Sequence, residues 1–257
     1  MAAWTPFPFN ASAYQHGDAA LASLWPRLHA GDAEPLPADP AMRAAWAFFH
    51  GGQFEQAVAA GMQAGGSGIT AANKAQLVYA NHLETGEAAR LALFWQVAER
   101  AEAQLAREPL NPNAHFMLAS ALGRYGQGIS IAKALSQGLG HKVKTALETA
   151  IRLAPTHAEA HLGLGVFHAE VIDKVGALLG HTQGASKDLG LALFKTALRL
   201  DPRSPIVRIE CARGLVMLGG EQRQNDATRL YEEAAACVPM DAMEHLDVAR
   251  AQAELAG

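Results

Sequence analysis

The apolar positions near the centre of the chain fall into two helical segments that nearly repeat each other. Residues 149–155 read Thr-Ala-Ile-Arg-Leu-Ala-Pro and residues 196–202 read Thr-Ala-Leu-Arg-Leu-Asp-Pro. Each segment ends at a proline, which cannot continue a helix. A helix pair that recurs with the same closing sequence predicts an array of helical repeats.

Glycine and proline breaks divide the rest of the chain in the same way. We expect residues 1–39 to form an N-terminal extension and linker, in which a short helix at 19–28 is interrupted by Pro26. We expect the globular repeat domain to occupy residues 40–257. Its predicted helix pairs are 40–50 with 53–64, 69–84 with 87–107, 113–125 with 142–153, 158–175 with 186–200, and 205–218 with 226–238. Residues 241–256 form a solitary amphipathic capping helix.

The pairs fit the register of the tetratricopeptide repeat (TPR). That repeat has a period of about 34 residues, small residues at set positions, an aromatic residue in the second helix and a closing proline. The matching residues are Leu164, Gly165, Gly190, Phe194, Ala197, Ala227, Tyr231 and Ala234. Small residues let helices cross closely, and the aromatic ring fills the gap beside them.

The repeats are longer than the TPR period. The closing prolines Pro112, Pro155, Pro202 and Pro239 are 43, 47 and 37 residues apart. The extra residues lie around 126–141 and 173–185. The sequence therefore predicts an all-α, right-handed solenoid of antiparallel helix pairs, TPR-like, with extended hairpins in two repeats.

Three sequence segments in and beside the first insert resemble one family. Residues 122–133 (Leu-Gly-Arg-Tyr-Gly-Gln-Gly-Ile-Ser-Ile-Ala-Lys), 144–155 (Lys-Thr-Ala-Leu-Glu-Thr-Ala-Ile-Arg-Leu-Ala-Pro) and 160–165 (Ala-His-Leu-Gly-Leu-Gly) follow in that order. This order resembles the regulator of microtubule dynamics family and its bacterial relatives, over roughly residues 45–240. The resemblance implies a TPR-like fold and protein–protein association. Tubulin association belongs to eukaryotic members and is not carried over, because the alanine-rich sequence is typical of a bacterial protein. A more distant similarity is to periplasmic TPR proteins that partner tripartite transporters, which leaves a small-ligand carrier as an alternative.

Composition and charge argue against several functional classes. The net charge is −4 and no block of Lys or Arg stands out, so nucleic-acid binding is disfavoured. No apolar run approaches the roughly 20 residues that a membrane span needs. The first residues lack the basic and apolar regions of a secretory signal, and two cysteines make no disulfide framework. We therefore expect a cytoplasmic protein.

Three histidines are the strongest candidates for chemistry. His157, His161 and His168 fall on roughly one helical face, where histidines four residues apart can share a metal. This spacing supports a metal-dependent enzyme as an alternative, although packing histidines are the more common finding. Cys211 and Cys237 occupy core-type positions, and the repeated Leu-Gly-His at 139–141 and 179–181 indicates turns in which glycine ends a helix. The sequence has no nucleophile elbow or phosphate-binding loop, so we expect no enzyme and no cofactor.

The first helices of TPR pairs line the concave groove of the array. The predicted partner-binding residues there are Glu159, Leu162, Val166, Ala169, Glu170, Ile206, Ile209 and Arg213. Because this lining is mostly apolar, it predicts a non-enzymatic scaffold that takes an amphipathic protein or peptide segment, or a second copy of the chain, in a groove.

Overall fold

The computed structural model describes residues 4–256. Its α-helices are α1 (Asp18–Leu28), α2 (Pro40–His50), α3 (Phe54–Ala64), α4 (Ser67–His82), α5 (Glu87–Leu105), α6 (Pro112–Gln127), α7 (Ile131–Ser136), α8 (Leu139–Leu153), α9 (Ala158–Thr182), α10 (Lys187–Leu200), α11 (Pro205–Gly219), α12 (Gln224–Ala235) and α13 (Ala242–Ala256). Short 3₁₀ helices lie at Ser12–Tyr14 and Gly220–Arg223. No strand occurs within residues 4–256, which confirms the all-α prediction.

Three of the first helices begin in the same way. Helices α2, α6 and α11 each have proline in their first turn, where the missing N–H is not needed. The residue before each proline accepts a backbone hydrogen bond through its side chain: Asp39, Asn111 and Ser204. Such N-caps each stabilise a helix by about 1 kcal/mol. The prolines of the sequence pattern therefore start helices as well as ending them.

The chain folds into two compact units. The first comprises Met1–His29, Glu34–Leu139 and Met240–Met243, with nothing described for its first three residues. The second comprises Ala30–Ala33, Gly140–Pro239 and Glu244–Gly257, described to residue 256. Residues 30–33 thus belong to the second unit, although the residues on either side of them belong to the first. Residues 240–243 belong to the first unit, although the residues on either side of them belong to the second.

In the first unit, α2 packs on α3, α4 on α5, and α4 also on α2, α3 and α6. The crossing of α3 and α4 depends on glycine, because a Cβ on Gly61 would collide with the carbonyl oxygen of Gly68. In the pair formed by α2 and α3, Trp46, Phe49, Phe54 and Ala57 are buried and Val58 is half-buried.

A buried polar chain fixes residues 240–243 in the first unit. His50 Nδ1 lies 2.7 Å from Asp241 Oδ2, and His50 Nε2 lies 3.2 Å from His29 Nε2. All three side chains are at most 4 % exposed, and the Trp25 ring stacks on His29 at 4.0 Å. With His50 donating from Nδ1 to the carboxylate, its Nε2 accepts from His29. These bonds satisfy buried groups that would otherwise be strongly destabilising.

The core of the second unit is arranged around Phe194. Its ring lies between α9 and α11: a Cβ on Gly165 would come within 2.7 Å of Phe194 Cε1, and one on Gly214 would overlap the ring. The same cluster contains Leu162, Ala169, Val207, Cys211, Ala212, Leu218 and Leu230. Helices α9 and α10 form one pair, α11 and α12 the next, and α9 packs on α11. The predicted interlock of small residues with an aromatic ring is confirmed here.

Helix α13 closes the second unit, as a capping helix should. Ala251 packs with Ile209 and Ala234 in a small buried cluster. At its end, Glu254 accepts a hydrogen bond from Arg213 at 2.6 Å. The apolar side of the last pair is thereby covered.

Both long inserts are present, and both are helical. The first, at 126–141, contains the short helix α7. The second continues α9 through a kink at Gly176, whose φ of +79° and ψ of 160° are not helical. The turn assigned to Gly140 was wrong: Gly138, with φ +63°, makes that turn, and Gly140 lies inside α8. Gly180 likewise lies inside α9, where its backbone is buried.

The assignment of 1–39 as an extension and 40–257 as the repeat domain stays a prediction, but packing begins before Pro40. Leu21 and Trp25 of α1 are 1 % and 4 % exposed, and α1 packs on α2. Pro26 does not interrupt α1, which continues to Leu28. Only Arg27 and Leu28 follow the proline before the helix ends. The proline ring fits a helical φ, but it removes one backbone N–H donor.

No helix in residues 4–256 combines the length and the apolar character that crossing a membrane requires.

The Phe194 interlock makes opposite predictions for two helical glycines. Gly214→Ala should lower the free energy of unfolding by about 1–3 kcal/mol, because overpacking outweighs the better helix propensity of alanine. Gly123→Ala, where a Cβ has no atom within 4 Å, should raise it by up to about 1 kcal/mol. Urea unfolding followed by circular dichroism measures both. Changes of the same sign would contradict the interlock.

Candidate protein-binding surface

The predicted groove residues lie on α9 and α11, the first helices of two adjacent pairs. Each helix has a side-chain N-cap: His157 Nδ1 accepts from Ala160 N, and Ser204 Oγ accepts from Val207 N. Because α9 packs on α11, their residues share one unit. The structure therefore brings the two halves of the predicted set onto neighbouring helices.

The side chains of this set differ in exposure. Leu162 and Ala169 are buried in the cluster around Phe194, and Ile209 is buried in the cluster with Ala251. Val166 is half-buried and packs against the larger cluster. The other half-buried members are Glu159, Glu170, Ile206 and Arg213. Only the half-buried side chains are accessible to solvent, while the buried ones pack inside the unit.

Glu159 is in contact with the chain's own N-terminal segment. Its N–H donates to the Gly31 carbonyl at 2.9 Å. A Cβ on Gly31 would lie 2.9 Å from Glu159 Oε1 and 3.2 Å from Asp201 Oδ2. Residues 30–33 therefore cover the start of α9. No sequence pattern indicated this contact, because residues 31–40 read only as a proline-rich linker.

Arg213 belongs to a polar network that holds α13. Its Nε donates to the Tyr231 hydroxyl at 3.0 Å, and its guanidinium lies 3.8 Å from Glu210. Burial lowers the pKa of Arg213, but Glu210, Tyr231 and Glu254 outweigh burial and raise it above the usual value. Arg213 thus links α11 to α12 and α13 within the second unit.

The three candidate histidines make separate backbone contacts. His157 caps α9, and His161 Nε2 lies 3.0 Å from the Pro155 carbonyl oxygen. His168 Nδ1 accepts from Ser186 N at 3.3 Å, which leaves the proton on Nε2. Within residues 4–256, no three histidine, cysteine, aspartate or glutamate side chains are arranged as metal ligands. Each of the three histidines therefore makes its own contact with the backbone.

The two cysteines have different surroundings. Cys211 is fully buried in the Phe194 cluster, and burial followed by the charge of Glu210 raises the pKa of its thiol to about 12. Cys237 is half-buried at the end of α12, where its Sγ lies 3.6 Å from the Arg203 carbonyl oxygen. Cys211 matches its predicted core position, whereas Cys237 is only partly covered.

The first unit contains a cleft of about 410 Å³ lined by Glu34, Pro35, Ser67 and residues 108–113. Its two carboxylates are held by amides at the start of α6: Asn113 Nδ2 donates to Glu34 at 2.6 Å, and Asn111 Nδ2 donates to Glu108 at 2.7 Å. Anionic groups near a helix N-terminus stabilise the helix dipole. These contacts explain the acids of the cleft without a ligand.

The sequence did not single out the exposed apolar side chains of α7, Ile131 and Leu135, which are 51 % and 61 % exposed. Every residue of α7 is at least partly exposed. The available signal was the pair Ile131 and Leu135, four residues apart within an insert. Such spacing places two apolar side chains on one helical face.

The buried histidine gives a pH-dependent prediction. Burial and the nearby Lys144 hold the pKa of His168 below its usual value of 6.5, while Glu148 opposes them. The unfolded chain then binds more protons than the folded one, so stability should fall as pH decreases below about 6.5. His168→Asn retains an acceptor for Ser186 N and should lose less stability than the wild type between pH 8 and pH 5. Parallel unfolding-temperature profiles for the two proteins would contradict this.

The thiols give a second prediction. At pH 8 a disulfide-exchange reagent should label Cys237 in the folded protein, whereas Cys211 should react only after unfolding, because thiolate and access are both required. Absorbance of the released thiolate counts the reactive groups. Cys237→Ser should abolish labelling of the folded protein; persistent labelling in this variant would show that Cys211 is accessible.

Comparison with known proteins places the chain in a family. The family described as regulator of microtubule dynamics protein 1-3 matches residues 71–256. No curated protein matches the sequence. Among solved structures, TTC0263, a thermophilic TPR protein in Thermus thermophilus, is similar with a TM-score of 0.58 and 20 % identity, over 83 % of this chain and 97 % of that one.

A monomeric mutant of IFIT1 with Gppp-AAAA has a TM-score of 0.44 and 15 % identity, over 79 % of this chain and about half (51 %) of that one, a likeness too weak to inform the fold. The TTC0263 likeness supports a helical solenoid of TPR type. The family match covers well over half of the sequence. The chain therefore belongs to the regulator of microtubule dynamics protein 1-3 family.

Proposed function

We propose that the protein is a non-enzymatic TPR-like scaffold that binds a protein segment, or a second copy of itself, through α9 and α11. The observation that carries the proposal is the stacking of these two first helices with half-buried apolar and charged side chains along them. Family membership and the TPR-type fold support a role in protein association. The proposal retains the bacterial, cytoplasmic setting expected from the sequence.

The contact residues of the proposed groove are the half-buried ones. Val166 and Ile206 offer apolar surface, while Glu159, Glu170 and Arg213 supply charge at its edges. Glu170 Oε2 lies 3.8 Å from Lys174 Nζ, one helical turn away, and such a partly exposed ion pair adds little to stability. This mixture suits an amphipathic helix or an extended segment with a few apolar anchors.

Charged residues in the proposed groove should weaken association. Val166→Asp together with Ile206→Asp places unpaired carboxylates where the partner's apolar groups would lie, so binding should weaken at least about tenfold. Affinity capture with the wild-type protein as bait, followed by quantitative mass spectrometry, identifies the retained proteins. Light scattering over a concentration series measures self-association.

Val238→Asp is the matched control, because Val238 is 82 % exposed and lies outside the set. It should retain both the captured protein and the oligomeric state of the wild type. A wild-type protein that is monomeric at every concentration and retains nothing beyond the double variant would overturn the proposal.

A further inference from the structure

Arg100 of α5 is a cation that the first unit partly buries without an acid beside it. Its Nη2 donates to Gln76 Oε1 at 2.6 Å, and its buried Nε has no hydrogen-bond partner in residues 4–256. Burial lowers the pKa of Arg100 to about 10, and no charged side chain contributes to that shift. The guanidinium therefore stays protonated at neutral pH. A charge that is removed from water and left without a counterion destabilises a fold.

The buried side chain of Gln76, on α4, fixes the orientation of the groups around Arg100. Its Nε2 donates to the Leu93 carbonyl at 2.9 Å, and a carbonyl can only accept. Its Oε1 faces Arg100, which can only donate. The same Nε2 also donates to Gln96 Oε1 at 3.1 Å. Gln96 therefore turns its oxygen toward Gln76, and its Nε2 donors lie on the other side of the amide.

The N–H groups that remain lie on one face of α5. Gln96 and Arg100 are four residues apart, so they are neighbours on the helix surface. Gln96 is exposed, and the Nη1 of Arg100, unlike its Nε, is not buried. Neither Gln96 Nε2 nor Arg100 Nη1 donates a hydrogen bond within the part of the chain that the structure describes. Glu99, the acid next to Arg100 in the sequence, accepts instead from Trp95 Nε1 at 2.9 Å.

The interior side of this helix pair does not compensate the guanidinium. Asn73 is fully buried on α4, and neither of its amide atoms has a partner in residues 4–256. It lies one turn from Gln76 and one turn from Thr70, whose Oγ1 accepts from Gln104 Nε2 at 3.2 Å. Asn73 therefore lies between the α4–α5 contacts of Gln104 and of Arg100. Polar atoms are left unpaired here as well, and no acid on this side acts on Arg100.

We propose that Gln96 and Arg100 bind a carboxylate group from outside the chain. The two oxygens of a carboxylate match the parallel N–H groups of a guanidinium. The Gln96 amide adds a third donor, and one negative charge offsets one positive charge. The carboxylate belongs either to a small free acid or to the acidic side chain of a polypeptide. The site lies in the first unit, away from the α9 and α11 residues of the proposed function, so neither proposal depends on the other.

Nitrogen-15 NMR of the full chain observes this site directly. The buried Nε–H of Arg100 is protected from exchange with water and should give a sharp resonance, which Arg100→Lys identifies by its disappearance. Sodium acetate, exchanged for sodium chloride at constant ionic strength, should shift this resonance saturably. The Nε–H resonance of Arg203, an exposed arginine of the second unit, should not shift. An equal response of both arginines would indicate general charge screening and would overturn the proposal.

Two capped tripeptides distinguish the sources of the carboxylate. Acetyl-Ala-Glu-Ala-amide should shift the Arg100 resonance, and acetyl-Ala-Gln-Ala-amide should not. Binding of the glutamate peptide at least about tenfold tighter than acetate assigns the site to a polypeptide side chain, whereas equal affinity assigns it to a small free acid. Equal shifts with the glutamate and glutamine peptides would contradict carboxylate recognition.

Gln96→Glu supplies the missing carboxylate from within the chain. The new side chain can still accept from Gln76 Nε2, and it lies one turn from Arg100. The unfolding temperature should rise by about 1–2 °C, and the acetate-dependent shift should be lost. Gln222→Glu, the same change at an exposed position of the second unit, should leave the acetate-dependent shift unaltered. An acetate-dependent shift that persists in Gln96→Glu, or that is absent from the wild type, would overturn the proposal.

Discussion

The ring of Phe194 fills a space that exists because Gly165 and Gly214 have no side chains. The ring belongs to α10, and the two glycines belong to α9 and α11. One aromatic residue thereby fixes how closely a helix pair packs and how closely the next pair stacks on it. Burying such a ring contributes about 1.5–3 kcal/mol, and dense packing makes the site intolerant of added volume. The helix pairs of the second unit, and the surface that α9 and α11 present, depend on this interlock.

Polar contacts hold one segment near each end of the chain: residues 30–33 and residues 240–243. Asp241 joins His50 although the two are 191 positions apart, and Gly31 meets Glu159 through a backbone hydrogen bond. Neither contact adds much apolar burial, but leaving such groups unpaired in the interior would be costly. The N-terminal segment and the residues before α13 are therefore structural parts of the units in which they pack.

The repeat pattern was readable from the sequence because each requirement is local. Gly165, Phe194 and Pro202 match positions of the repeat register. The helix boundaries followed from prolines and glycines. The contacts of Gly31 with Glu159 and of His50 with Asp241 were not predictable, because they join residues with no periodic relation. The turn at Gly138 was misplaced to Gly140, since both glycines suit a turn and only the packing of Leu139 decides which one lies inside α8.

The candidate surface was predicted in outline and not in detail. The TPR register identified α9 and α11, but it did not show that Leu162, Ala169 and Ile209 point into the core. Successive side chains of a helix point about 100° apart. Knowing that a residue lies on a first helix therefore does not decide whether its side chain is buried or exposed. The exposed apolar pair of α7 was missed because inserts lie outside the repeat period. Exposure of Ile131 and Leu135 becomes visible only when the neighbouring helices are placed.

The central claim is that Phe194 and the glycines opposite it act as one packing unit. A double-mutant cycle with Gly214→Ala and Phe194→Leu tests it most directly, with urea unfolding as the readout. Because leucine leaves room for the added methyl group, alanine at position 214 should destabilise the Phe194→Leu protein less than the wild type, with an interaction energy of at least about 0.5 kcal/mol. Strictly additive changes in the free energy of unfolding would contradict the account.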